Sequence, residues 1–113
     1  MTERQFPGVL TESFHFINSD YNIELAIAKV LAGKAIGGKD LGVKIAEEPV
    51  FIHGVEYLEA NFTIPEGREV FDKVSRSPEV LALFEQLYYR DQDKPNPEMI
   101  MGVIQQTLTN LFD

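Results

Sequence analysis

The chain contains no cysteine. That absence removes disulfides, thiolate metal sites and cysteine nucleophiles together, and it leaves the redox compartment open. Long apolar runs are missing as well. Nothing approaches the roughly 20 consecutive apolar residues of a membrane-spanning helix, and "MTERQFPGVL" places an acid early with no apolar core, so no signal peptide is expected. The sequence reads as that of a soluble, cytoplasmic protein with no membrane partner. Basic residues are scarce: 10 Lys and Arg stand against 18 Asp and Glu, for a formal charge of −8. An acidic surface repels phosphate backbones, which argues against a nucleic-acid partner. There is no internal repeat and no low-complexity segment.

Catalytic patterns are equally sparse. The only histidines are His15 and His53, both in strand-like segments, without the close spacing that brings zinc ligands together. Ser19 and Ser77 sit where helix caps are needed, and no GxSxG elbow occurs. The pair Glu47-Glu48 adjoins Pro49 in a turn, whereas acid–base chemistry needs carboxylates in unequal, enclosed environments. No motif calls for a cofactor or a metal.

What is present begins with a phosphate-loop lookalike. "GKAIGGKD", Gly33 to Asp40, fits GxxxxGK. In a phosphate-binding loop, however, the glycines leave a strand and open a helix, so that N–H groups and the helix dipole converge on the anion. Here a helix runs into the glycines and the strand-like "LGVKIA" follows, with Asp40 placed to repel an anion. Gly33 is better read as a helix C-cap at positive φ.

Length and composition suit a single domain, 1–113. Residues 1–7 read as a flexible arm. Val9 to Ile17 alternates Phe14 and Phe16 with Ser13 and His15, which is a strand. Ser19 or Asp20 can cap a helix running to about Leu31, with Ile23, Ile27, Val30 and Leu31 as its apolar stripe. Leu41 to Ala46 is a strand. Val50 to Ile64 is either one strand kinked at Gly54 or, as the two apolar runs favour, a hairpin turning at His53-Gly54. After Pro65 the period lengthens to that of a helix. One helix carries Val70, Phe71 and Val74. A second starts at Ser77-Pro78 with Val80, Leu83, Phe84 and Leu87. A linker, 91–97, leads to a C-terminal helix, 98–112. The order β-α-β-β-β-α-α-α predicts an α+β fold: a small, largely antiparallel sheet covered by helices, with a helical C-terminal appendage.

Charge is placed unevenly. Glu47 to Glu66 holds five carboxylates and no lysine or arginine, while Lys29 to Lys44 holds four lysines and one aspartate. Two solvated surfaces account for this, and a basic partner for the acidic segment is the sharper reading. The last helix, "PEMIMGVIQQTLTNLF", is apolar around much of its first two turns, and its polar residues are mostly neutral. It either packs on its own sheet or docks on another chain.

Two functions follow as expectations. The first is a non-enzymatic interaction module (adaptor, assembly factor or inhibitor), homodimeric or bound to a protein partner. Its contact residues would be Met99, Met101, Ile104, Leu108, Leu111 and Phe112 of the last helix, with Tyr88 and Tyr89 ahead of the linker. The second is a small-molecule site or minimal acid–base enzyme in a pocket between sheet and helices, anchored on His15 and lined by aromatics including Tyr57.

Overall fold

The computed structural model describes residues 12–36, 38–89 and 94–112. The expected arm 1–7, the start of the first strand at Val9 and much of the expected linker lie outside the described residues. Strand β1 (Glu12–Ile17) leads to helix α1 (Ile23–Ala32). Three short strands follow, β2 (Ala35–Ile36), β3 (Lys39–Asp40) and β4 (Val43–Ile45), then β5 (Val50–Ile52) and β6 (Val55–Phe62). Helices α2 (Pro65–Ser75), α3 (Pro78–Tyr88) and α4 (Pro97–Phe112) complete the chain. The fold is α+β.

β6 is the centre of the main sheet. β1 pairs antiparallel along one of its edges, from Glu12 opposite Phe62 to Ile17 opposite Tyr57. The other edge is shared: β4 takes the end near Phe62 and β5 the end near Val55. Alternation along these strands sorts the side chains into two faces. Phe14 and Phe16 of β1, Leu58, Ala60 and Phe62 of β6, and Val43 and Ile45 of β4 face the helices. Ser13, His15, Ile17, Tyr57, Glu59 and Asn61 face the opposite way.

The hairpin β5–β6 turns at His53-Gly54, with φ of 52° and 79°. Two successive left-handed residues are what a two-residue turn needs to match strand twist. "GKAIGGKD" becomes a second, miniature hairpin in which Ala35 pairs with Asp40 and Ile36 with Lys39. A helix precedes it and strand β4 follows it, in the order read from the sequence.

Three local expectations need correction. The cap of α1 is Asn22, whose Oδ1 accepts the Leu25 N–H at 3.1 Å; Ser19 instead accepts the Tyr21 N–H. Asn22 prevails because its amide also donates to the Ile17 carbonyl at 2.8 Å, tying the helix start to the end of β1. Gly33 does cap α1, but at φ −102°, a conformation open to any residue, so positive φ is not its role. The expected strand Leu41–Ala46 shortens to Val43–Ile45, because Gly42 at φ 72° breaks the extended run. There the Thr63 N–H and hydroxyl both bond the Gly42 carbonyl, at 3.0 and 2.7 Å.

α1 organises the core. Ile23, Leu25, Ala26, Ile27, Ala28, Val30 and Leu31 are all buried, which leaves little of the helix for water. It packs on β1 and β4 from one side and against α2 and α4 from others. Between the sheet and α2 four rings close on one another: Phe62 meets Phe14 and Phe71 edge-on at 5.6 and 5.1 Å, and Phe16 stacks on Phe71 at 6.1 Å. Arg68 of α2 covers the cluster, its guanidinium 5.2 Å from the Phe14 ring centre and 5.7 Å from that of Phe71. Its nitrogens pair with Glu12, at 2.9 Å, and with Asp72.

Candidate functional site

The expected C-terminal contact surface is divided by the fold. A single side of α4 cannot serve both the core and a partner, and Ile104 and Leu108 belong to the core. With Ile100 and Thr107 they are buried against α1 and its neighbours, and Met101 and Val103 are packed partly under them. α4 is thus a structural helix along that stripe, and those two residues are not available to another chain. The sequence carried a signal for this. "IELAIAKVLA" has only Glu24 and Lys29 as charged residues, so α1 needs cover on more than its sheet-facing side, and α4 provides it.

Met99, Leu111 and Phe112 remain exposed, but they do not form one patch. Met99 sits in the first turn of α4, beside a groove of about 270 Å³ lined with Ala82, Leu83 and Gln86 of α3. Leu111 and Phe112 lie at the other end, about 18 Å along the axis at 1.5 Å per residue. Phe112 packs near α2, its ring centre 5.9 Å from the Lys73 ammonium.

Tyr88 and Tyr89 end α3, their rings edge-to-face at 6.0 Å. Tyr88 is 84% exposed. It continues a row that sequence reasoning missed in part: Leu81 and Phe84, also exposed, precede it at helical spacing. Helical periodicity puts Leu81, Phe84 and Tyr88 on one flank of α3, away from Glu79, Ala82 and Gln86, which face the α4 groove. Val80 and Leu83 on the inner side are buried. The period is visible in the sequence, but there Phe84 falls on the same stripe as Val80, Leu83 and Leu87. Only the position of α3 at the margin of the helical layer turns it outward. Lys94 closes the end of α3 by donating to the Leu87 and Tyr89 carbonyls.

The residues of the alternative site go elsewhere. His15 is exposed and lies on the outer face of the sheet, opposite Glu59, with the full thickness of the sheet between it and the helices. The expectation of a pocket between sheet and helices anchored on His15 is corrected by that alternation: the ring is on the wrong side. Tyr57 is on the same outer face, half-buried, between Ile17 and Val50. On the helix-facing side Phe14, Phe16, Phe62 and Phe71 pack on one another and leave no such pocket around His15. Among the described residues no three His, Asp or Glu side chains come together as a metal site would require, and no helix is long and apolar enough to cross a membrane.

Two ionisable groups are perturbed. Partial burial pulls the Arg68 pKa down, but its bonds to Asp72 and Glu12 outweigh this and leave it raised. The Glu66 carboxyl is held below its ordinary value, chiefly by the hydrogen bond from Lys39 at 2.9 Å. Both are pairings within the fold and lie apart from the α3 flank.

Comparison with known proteins finds no matching family model, no matching curated protein and no matching solved structure. The chemistry of the surface therefore carries the functional reading.

Proposed function

We propose that this chain is a protein-interaction module, an adaptor, assembly factor or inhibitor, that docks a protein partner through the outer flank of α3. The observation that supports it is the row Leu81, Phe84 and Tyr88, exposed at the spacing by which an apolar helix face enters a groove. Tyr89 extends the row at its C-terminal end. Tyrosine at such a site combines a wide apolar ring with a hydroxyl that can stay hydrated, a combination common among residues that dominate binding. α4 plays a supporting part: it holds α3 and α1 in place.

The acidic surface shapes the partner's chemistry. With a charge of −8, favourable encounter is with a neutral or basic protein surface, and association slows as salt screens the attraction. The decisive experiment compares the tagged full chain with a Leu81→Ser/Phe84→Ser/Tyr88→Ser variant, by affinity purification from the source cells at matched abundance. A stoichiometric partner retained by the parent and lost by the variant, at unchanged melting temperature, is the expected result. A partner kept equally by both chains places the contact elsewhere, and the absence of any partner removes this reading.

A further inference from the structure

The sheet ends at β5 on three apolar residues. Val50 is 43% exposed, Phe51 68% and Ile52 44%, and none has a charged neighbour within the strand. Natural edge strands are protected by lysine, inward charge, a bulge or a covering element, because an open edge is a template for another strand. β5 is only three residues long and follows Pro49, which limits its reach, but the strand carries no charge, and among the described residues no other strand pairs with its outer edge.

The backbone there is oriented for pairing. The Glu56 carbonyl accepts the Asn18 N–H at 2.9 Å, so the peptide groups of Glu56 turn toward the β1 side of the sheet. Phe51 stands opposite Glu56. Theirs is consequently a non-hydrogen-bonded pair, and the N–H and C=O of Phe51 point away from β6, off the edge.

We infer that this edge is covered by a second copy of the same chain, β5 pairing antiparallel with β5 about a two-fold axis at Phe51. The main sheet then runs continuously through both copies. One feature favours a second copy over a different polypeptide. The strand is self-complementary: reversal about Phe51 sets Val50 opposite Ile52 of the copy, two β-branched residues of similar size. It also sets Phe51 opposite itself, the two exchanging N–H and C=O reciprocally, as a two-fold interface requires. Charge does not forbid it: two chains at −8 repel wherever carboxylates face each other, and Val50 to Val55 contains none. The same register sets His53 of one copy opposite Pro49 of the other. Pro49, lacking an N–H, and the tight turn at His53-Gly54 limit the match to this short segment.

The test is sedimentation velocity together with native mass spectrometry on the full chain, as parent, Phe51→Lys, Phe51→Pro and Leu81→Ser/Tyr88→Ser. Phe51→Pro removes only the N–H that points off the edge, a position where an edge strand tolerates proline. Phe51→Lys supplies the charge that natural edges carry, and circular dichroism verifies that each variant is folded. The expected outcome is a dimeric parent, a dissociation constant raised about tenfold or more by Phe51→Lys and by any folded Phe51→Pro, and no change for Leu81→Ser/Tyr88→Ser. A monomeric parent, open-ended oligomers, pairing only with a different polypeptide, a dimer untouched by Phe51→Lys, or a dimer dissociated by the α3 variant would each overturn the proposal. Because partner capture is read at α3 and dimerisation at β5, the failure of either leaves the other distinguishable.

Discussion

Replacing Gly67 with alanine adds one methyl group to the first turn of α2, where the intrinsic helix preference favours alanine by about 0.8–1.0 kcal/mol. The fold reverses that sign. A Cβ at Gly67 would stand less than 3.0 Å from the Leu41 carbonyl oxygen, 3.3 Å from its carbon and 3.2 Å from Val43 Cγ2. The obstructing atoms are mainly backbone, just ahead of a strand paired with β6, so no rotamer change clears them. Relief requires α2 to withdraw by about an ångström or more, to restore the roughly 3.3–3.6 Å of a tolerable C···O approach. Overpacking of this kind costs about 1–3 kcal/mol. Since the obstacle is backbone, the upper half of that range applies, and after subtracting the helix gain the net loss is about 1–2 kcal/mol. For a domain of this size that lowers the melting temperature by roughly 4–10 °C. Gly102 in α4 is the internal control. A Cβ there meets nothing within 4 Å, so Gly102→Ala should gain up to about 1 kcal/mol. Thermal and urea unfolding followed by far-UV circular dichroism measure both variants. If Gly67→Ala raises the melting temperature as Gly102→Ala does, α2 does not pack on Leu41 as described.

The Arg68 cover over the aromatic cluster gives a second expectation: Arg68→Ala should cost about 1–2 kcal/mol in urea unfolding, and Arg68→Lys should recover only part of it, since an ammonium cannot lie flat on two rings while bridging two carboxylates. Glu66 provides the pH test. Its folded pKa is lowered, so its small stabilising contribution is present above the unfolded pKa and is lost as pH falls through the folded value. Lys39→Ala should move the Glu66 midpoint in an NMR titration upward toward the ordinary carboxylate value, with little effect on melting because the pair is exposed.

Much of the fold was legible where local chemistry and tertiary packing agree. The change of period at Pro65, the His53-Gly54 turn and the helix opening at Asn96-Pro97 each rest on residues whose conformational restrictions act locally, and the structure follows them. Asn96 caps that helix, its Oδ1 accepting the Met99 N–H at 2.7 Å. The readings that failed were decided by distant partners. Ser19, Asp20 and Asn22 are all competent caps, and the carbonyl of Ile17 selects among them. Ile104 and Leu108 carry the same apolar stripe whether they meet α1 or another protein, and periodicity alone does not name the partner. His15 was placed correctly on a strand, but which of two sheet faces receives the helices is set by the whole set of alternating residues, Phe14, Phe16, Leu58, Ala60 and Phe62 together. The exposed row on α3 and the edge of β5 that no described strand pairs with depend on where the helical layer and the sheet stop, which no single segment encodes.

The central place of β6 has a consequence for biosynthesis. Every strand of the main sheet pairs with β6, and its pairing with β1 spans 40 to 50 residues of chain, from Ile17–Tyr57 to Glu12–Phe62. On the ribosome, β1, α1, β4 and β5 all emerge before the strand that unites them. At about 5–20 residues per second, β1 waits several seconds for its neighbour. During that interval Phe14 and Phe16 have no sheet to join, and α1, apolar on most of its surface, has neither β6 nor α4 to cover it. The nascent chain therefore leaves this apolar surface without its native cover until Phe62 clears the exit tunnel, after which the sheet can close around its last strand.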